Sequence, residues 1–158
     1  MLIQDMTREM SLSLIESSRY GRIACAKEGQ PYVTPLSYAY STGYLYCFST
    51  VGTRIEWMRV NPLVCVEIED LVSLEEWRTV VIFGLYHELT DTPEFYEERR
   101  RAYDLLAVGA DWWNPGYAKT VRHGAERPLE PVYFRIAINE ISGHQGIPDT
   151  QPKETIAD

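Results

Sequence analysis

Residues 21–50 read GRIACAKEGQPYVTPLSYAYSTGYLYCFST, and their patterning decides the fold class. Arg22 to Ala26 is a short apolar run of the strand type, Lys27-Glu28-Gly29-Gln30 is a turn, and Pro31 to Tyr40 is a long second strand. Ser41-Thr42-Gly43 turns the chain again, and Tyr44 to Ser49 returns it with Tyr44, Tyr46 and Phe48 alternating onto one face. Two hairpins in such close succession predict an antiparallel sheet. Pro35 is unusual inside a strand because it has no N–H for the ladder. It belongs on an edge, or where something other than a strand packs.

Upstream, Thr7 to Ser18 places Met6, Met10, Leu14 and Ile15 at helical spacing behind Thr7, a candidate N-cap. Downstream, Thr53 to Val60 predicts a short helix stopped by Asn61-Pro62, since the residue before proline avoids the helical region. Leu63 to Ile68 is apolar on both faces apart from Glu67, which predicts a central strand. Trp77 to Leu89 is the longest strand, and Gly84 within it signals a bulge or a close backbone approach. Asp91-Thr92-Pro93-Glu94 opens a helix running to about Val108. Asp111 to Pro131 is an aromatic and basic connection, and Val132 to Ser142 is the last strand. The chain divides into one domain over residues 1–146 and a loose polar tail over residues 147–158. Six strands broken by short helices predict a mainly β protein, a closed or split antiparallel barrel with peripheral helices.

The chain has 158 residues, one domain's worth at roughly 100–200 residues per domain. It is 45% hydrophobic and 24% charged, ordinary for a folded globular protein and inconsistent with a wholly disordered one. A net charge of −8 argues against nucleic acid as a partner. No apolar window approaches the ~18 residues of a membrane span, and the N-terminus lacks a secretion signal. Cys25, Cys47 and Cys65 lie in apolar runs without CxxC spacing, the usage of reduced thiols in a cytoplasmic protein. The histidines show no metal-ligand spacing, so no metal site is expected.

Three segments carry potential chemistry. In Ser49-Thr50-Val51-Gly52-Thr53-Arg54 a strand ends in two hydroxyls and turns into a helix start bearing an arginine. Free N–H groups and the helix dipole there suit an anion, and a guanidinium adds bidentate hydrogen bonds to phosphate. The same residues also describe a plain helix cap with a solvated arginine. Arg78 and Thr79 open the long strand after Glu75-Glu76, and Arg78 could simply balance those acids. The proline-bearing strand Val33, Thr34, Pro35, Leu36 and Ser37 suits a flat ligand lying along an edge, or a barrel rim.

In order and spacing, GRIAC, GQPYVTPLSYAY, GYLYCFST, GTRIEWMRVNPLVCVEIE and WRTVVIFG resemble the FMN-binding split barrels related to pyridoxamine 5'-phosphate oxidase, over roughly residues 7–142. The subgroup with nitroimidazole-resistance-type flavoproteins is the most similar. The resemblance implies a six-stranded antiparallel Greek-key split barrel and a homodimer with flavin at its interface. It implies FMN as cofactor, with Val33, Thr34, Pro35, Leu36 and Ser37 along the ring and Ser49 and Thr50 facing the ribityl-phosphate. Thr53 and Arg54 fall at the phosphate, where the family commonly has arginine and lysine, and Arg78 and Thr79 match the polar pair that reaches the flavin. Thr53 thus removes one positive charge, and the chain ends in ISGHQG and a polar tail where true pyridoxamine phosphate oxidases clamp substrate.

The implied activity is flavin hydride transfer to or from a small molecule, a nitroaromatic or quinone, with NAD(P)H as a possible donor, and not vitamin B6 oxidation. A deazaflavin F420 or heme ligand on the same barrel, or flavin binding without turnover, stands as the alternative. His123 is a weak candidate general acid and otherwise a loop histidine. Trp112 and Trp113 cover a pocket or pack at an interface.

Overall fold

Thr7 accepts a hydrogen bond at Oγ1 from the Met10 N–H (3.2 Å) and starts α1 (Arg8–Ser17), as its capping chemistry predicts. In this computed structural model of the chain, residues 1–108, 120–122, 124–127 and 130–149 are described. Strand β1 (Leu2–Asp5) precedes the helix and was not foreseen, because four exposed residues carry no alternating pattern. The meander read from residues 21–50 is present as β2 (Tyr20–Lys27), β3 (Gln30–Ser41) and β4 (Tyr44–Thr50). Thr42 and Gly43 both take positive φ (51° and 81°), the two-residue turn whose twist suits a hairpin.

Helix α2 (Thr53–Val60) ends at Asn61 as expected, and β5 (Leu63–Ser73) and β6 (Glu76–Leu89) form the longest hairpin. A 3-10 turn at Pro93–Phe95 leads into α3 (Tyr96–Ala107). The connection after it contains a small hairpin, β7 (Thr120–Arg122) and β8 (Ala125–Arg127), before β9 (Pro131–Ile147). Residues 150–158, most of the tail, lie outside the described residues.

All strand pairs of the main sheet are antiparallel. They run β9-β4-β3-β2-β5-β6 and close from β6 back onto β9, giving the six-stranded barrel, with β1 added beside the end of β9. Alternation turns Ile23, Leu36, Tyr38, Leu45, Cys47, Val66, Ile68, Val80, Ile82, Phe134 and Ile136 inward. Helix α1 adds Leu14 and Ile15 to this core, and Tyr38 Oη donates to the Ile15 carbonyl at 2.9 Å. Helix α2 adds Ile55 and Met58. On the outside, α3 covers Tyr46, Phe48 and Tyr133 with Ala102, Leu105 and Leu106. Tyr44, Tyr46 and Phe48 do share a face, and it is the outer one.

Gly84 is both things its position predicted. The β6–β9 register shifts between Phe83 and Gly84, and a Cβ there would lie 2.5 Å from Ile136 Cγ2 and 2.7 Å from the Ala137 carbonyl oxygen. Strand β5 is central, between β2 and β6, yet its outer face is open: Leu63 is 65% exposed. Apolar residues on both faces therefore mean something other than burial within one chain.

The barrel is split between β3 and β4. These strands pair only over Tyr38–Ser41 and Tyr44–Cys47. Farther on, residues 30–37 pair with β2 alone and Phe48–Thr50 with β9 alone. In an antiparallel ladder alternate residues point their N–H and C=O to the same side. Pro35 sits opposite Arg22, so Pro31, Val33, Pro35 and Ser37 turn their backbone away from β2 toward the split. Both prolines of the strand thus occupy positions where no ladder donor is needed, the edge placement that Pro35 predicted.

Candidate functional site

The split is bridged by one side chain. Arg54 Nη1 donates to Thr34 Oγ1 (2.9 Å) and to the Pro35 carbonyl (2.7 Å), and Nη2 donates to Ser49 Oγ (2.8 Å). Two of the three segments singled out in the sequence, residues 33–37 and residues 49–54, therefore meet at a single guanidinium. Local chemistry puts it there. Strand β4 ends at Thr50, Gly52 takes an extended N-cap conformation, and α2 begins at Thr53. No side chain caps this helix, so its first N–H groups stay available beside Arg54.

Arg54 is half-buried, and burial lowers its pKa from the ordinary arginine value, offset in part by neighbouring Cys47, Cys25, Tyr32 and Tyr86. Other arginines of the barrel have carboxylate partners: Arg22 has Glu67 and Glu69, Arg59 has Glu88, Arg78 has Asp70, Arg99 has Asp91 and Arg135 has Glu98. Among the described residues none ion-pairs with Arg54. A cation withdrawn from water without a counter-charge is costly. The arrangement suits an anion placed between the guanidinium and the open N–H groups of α2.

Pro35 and Val33 face outward on β3, with Val33 58% exposed, whereas Leu36 points into the core. Thr50 and Thr53 lie at the two sides of the turn leading into α2. Arg78 and Thr79 are elsewhere. Arg78 Nη2 donates to Asp70 Oδ2 at 2.5 Å and Thr79 Oγ1 to Glu67 Oε1 at 3.1 Å, and neither bonds Arg54, Thr34 or Ser49. Thr79 shares the outer sheet face with Pro35 but lies three strands away, about 14 Å at ordinary strand spacing, and Arg78, its neighbour in β6, alternates to the opposite face. Across that face Val33, Ala24, Cys65 and Phe83 form one row in register, with Phe83 47% exposed. The face is open and largely apolar.

Two open clefts of about 260 and 340 Å³ flank Trp77 and Arg78 at the end of the β5–β6 hairpin. Neither is lined by the Arg54 group. An aromatic pair went unnoticed in the sequence: Tyr32 on β3 and Trp57 on α2 lie 5.5 Å apart, tilted by 52°. Trp57 is three residues after Arg54 and so falls on the same side of α2, where Asn61 Nδ2 also bonds the Ala26 carbonyl at 2.9 Å. That helical spacing was the available signal. Trp112, Trp113 and His123 lie outside the described residues. Among the described residues no cluster of His, Cys, Asp and Glu could hold a metal, and no helix is long and apolar enough to cross a membrane.

Comparison with known proteins supplies the rest. A protein of Rhizobium meliloti (strain 1021), itself uncharacterised, is 36% identical over 143 residues, 90% of this chain and 95% of that protein. The crystal structure of an FAD-binding protein from Mesorhizobium loti matches with 40% identity and a TM-score of 0.76, covering 92% of this chain and 99% of that one. A candidate 5-nitroimidazole antibiotic resistance protein from Bacteroides thetaiotaomicron shares the fold at 17% identity, with a TM-score of 0.64 over 92% of this chain and 89% of that one. Residues 7–145 match the family described as pyridoxamine 5'-phosphate oxidase. With its split barrel and the order of its motifs, the chain belongs to that family.

Proposed function

We propose that this protein binds the FMN moiety, as the mononucleotide or as the flavin half of a dinucleotide, and acts as an oxidoreductase on a small molecule. The observation that carries the reading is the half-buried Arg54, without a carboxylate partner among the described residues, at the uncapped start of α2. In this reading Arg54, Thr53, Thr50 and Ser49 hold phosphate. Along the split, the backbone N–H and C=O of Val33 and Ser37, with the Pro35 carbonyl, orient the polar edge of the ring, and the outer surface of Val33 and Pro35 excludes water. A flavin held by these residues would supply hydride-transfer chemistry between a donor such as NAD(P)H and a nitroaromatic or quinone acceptor. His123 is the candidate proton donor.

A homodimer belongs to the same proposal. Support comes from the separation of Arg78 and Thr79 from Arg54 within one chain, and from the open apolar row through Phe83. Each flavin would take Arg54 from one copy and Arg78 with Thr79 from the other.

The test is the visible spectrum of the purified protein, before and after flavin is added and excess removed by desalting. Retained flavin at about one per chain, lost in Arg54→Ala, is the expected result. A protein that refuses flavin, or that carries a heme or deazaflavin spectrum instead, overturns the cofactor assignment. Failure of the loaded protein to oxidise NADH or NADPH with any quinone or nitroaromatic acceptor leaves a flavin binder and removes the oxidoreductase.

A further inference from the structure

His144, on the last strand, stands in a row with Thr79. Across β1, β9, β6 and β5 the residues Asp5, His144, Thr79 and Glu69 lie opposite one another in turn. Their chain neighbours Val80 and Gly143 are buried, Gly143 against Met6 and Ser11, so alternation puts the row on the outer face. The Cβ atoms of Thr79 and His144 are therefore about 5 Å apart. His144 Nε2 lies 3.3 Å from Asp5 Oδ1, and among the described residues nothing else bonds the ring. Strand β1 is exposed along all four residues, so its pairing adds little burial; what it does is set a carboxylate beside this imidazole. Such a carboxylate orients the ring and stabilises its cation, and here it leaves Nδ1 for a ligand. On the other side of Thr79 opens the cleft of about 340 Å³ whose walls include Glu69, Leu71, Trp77 and Thr79, within the size range of small-molecule sites. Trp77 reaches back over β9. A Cβ on Gly146 would lie 2.5 Å from its Nε1, so the indole sits two residues from His144 on the same face.

We propose that His144, held by Asp5, donates the proton that completes reduction of a quinone seated in this cleft. This rests on the reading of the protein as a flavin oxidoreductase, in whose dimer Thr79 meets the flavin of the other copy. Reducing a quinone to the hydroquinone takes one hydride, here from reduced flavin, and one further proton. The imidazolium of His144 gives that proton to a quinone oxygen, the hydroquinone leaves, and the neutral imidazole takes a proton back from water. Histidine suits the task because it titrates near neutrality and so both gives and regains a proton there. Thr79 does not replace it, since its hydroxyl already donates to Glu67 Oε1 at 3.1 Å. His144 thus takes the role for which the sequence pointed to His123.

The test uses the flavin-loaded full chain and tetramethyl-1,4-benzoquinone, which has no ring hydrogen for a thiol to replace. With oxidised flavin no reaction occurs, so binding alone is read by NMR. The His144 ring signals, identified by their loss in His144→Gln, should move saturably as quinone is added. Those of His87, eight residues along β6 from Thr79 or about 26 Å, should stay in place. After anaerobic reduction with dithionite, His144→Gln should slow reoxidation by the quinone at least about 100-fold, the scale of lost general-acid catalysis, with flavin affinity unchanged. Asp5→Asn should slow it by a smaller factor. His144 signals that ignore the quinone, or reoxidation at the native rate in His144→Gln, overturn the proposal and return the role to His123. A native protein that retains flavin but is not reoxidised by the quinone refutes the oxidoreductase reading, and the proton step with it. One that retains no flavin refutes the cofactor.

Discussion

Replacing Arg54 by Met keeps the aliphatic stem and removes the fork, along with three hydrogen bonds of 2.7–2.9 Å to Thr34, Pro35 and Ser49. Two consequences follow with different magnitudes. Without ligand, the lost charge-assisted bonds are offset by relief of a desolvated, uncompensated cation, so stability should change by no more than about 1–2 kcal/mol. With ligand, loss of a charged bond to phosphate costs about 1.5–3 kcal/mol, or roughly 10–150-fold in affinity. Thermal unfolding reads both together. At a flavin concentration 100 times Kd the native protein gains about 2.7 kcal/mol, whereas a variant binding 100-fold more weakly gains about 0.4 kcal/mol. For a chain of this size that is a flavin-induced rise in Tm of about 5–11 °C against about 1 °C. A ligand-free variant destabilised by more than about 3 kcal/mol with an undiminished flavin shift would refute the reasoning and make Arg54 a strut across the split.

Three further outcomes are expected. Gly84→Ala forces a methyl against Ile136 and the Ala137 backbone and should lower stability by about 1–3 kcal/mol, seen as a lower Tm; an unchanged Tm would mean that β9 yields freely there. Glu88 accepts both Arg59 Nε (2.8 Å) and Nη2 (2.7 Å), and this pairing holds its carboxyl below the ordinary value of 4.5. Folding therefore disfavours its proton, so the pair's contribution is present above about pH 4.5 and fades as pH falls through the lower folded value; Glu88→Gln should flatten that acid limb of stability against pH. Phe83→Glu on the open sheet face should convert a dimer of 18.2 kDa chains to monomer in sedimentation, and persistence of the dimer would place the interface on another face.

Local chemistry was legible where it is self-contained. The Thr7 cap, the stop at Asn61-Pro62, the hairpin turn at Thr42-Gly43 and the doubled role of Gly84 each depend on residues near in sequence. Two of the site's segments, residues 33–37 and 49–54, were legible too, as residue types, but not that one guanidinium would join them, because the bond from Arg54 to Pro35 depends on where α2 settles. The same dependence hid Tyr32 and Trp57, which belong to different elements. Strand β1 escaped because an exposed four-residue strand has no hydrophobic period to read. Leu63 to Ile68 was read correctly as a central strand, but its outer apolar face had a second meaning that alternation alone does not reveal, since that side of the barrel is open.

Pro31 and Pro35 share one phase of β3, facing a gap that no strand of the described chain fills. A stray strand entering that gap, from an unfolded neighbour or a growing aggregate, would find two of the four outward positions unable to donate. The ligand-free protein can therefore keep a long sheet edge open, as an occupant requires, without that edge becoming a template for amyloid-like growth. Replacing the two prolines would remove this protection first and foldability only second, so the cost would show as insolubility at high concentration well before any loss of the barrel.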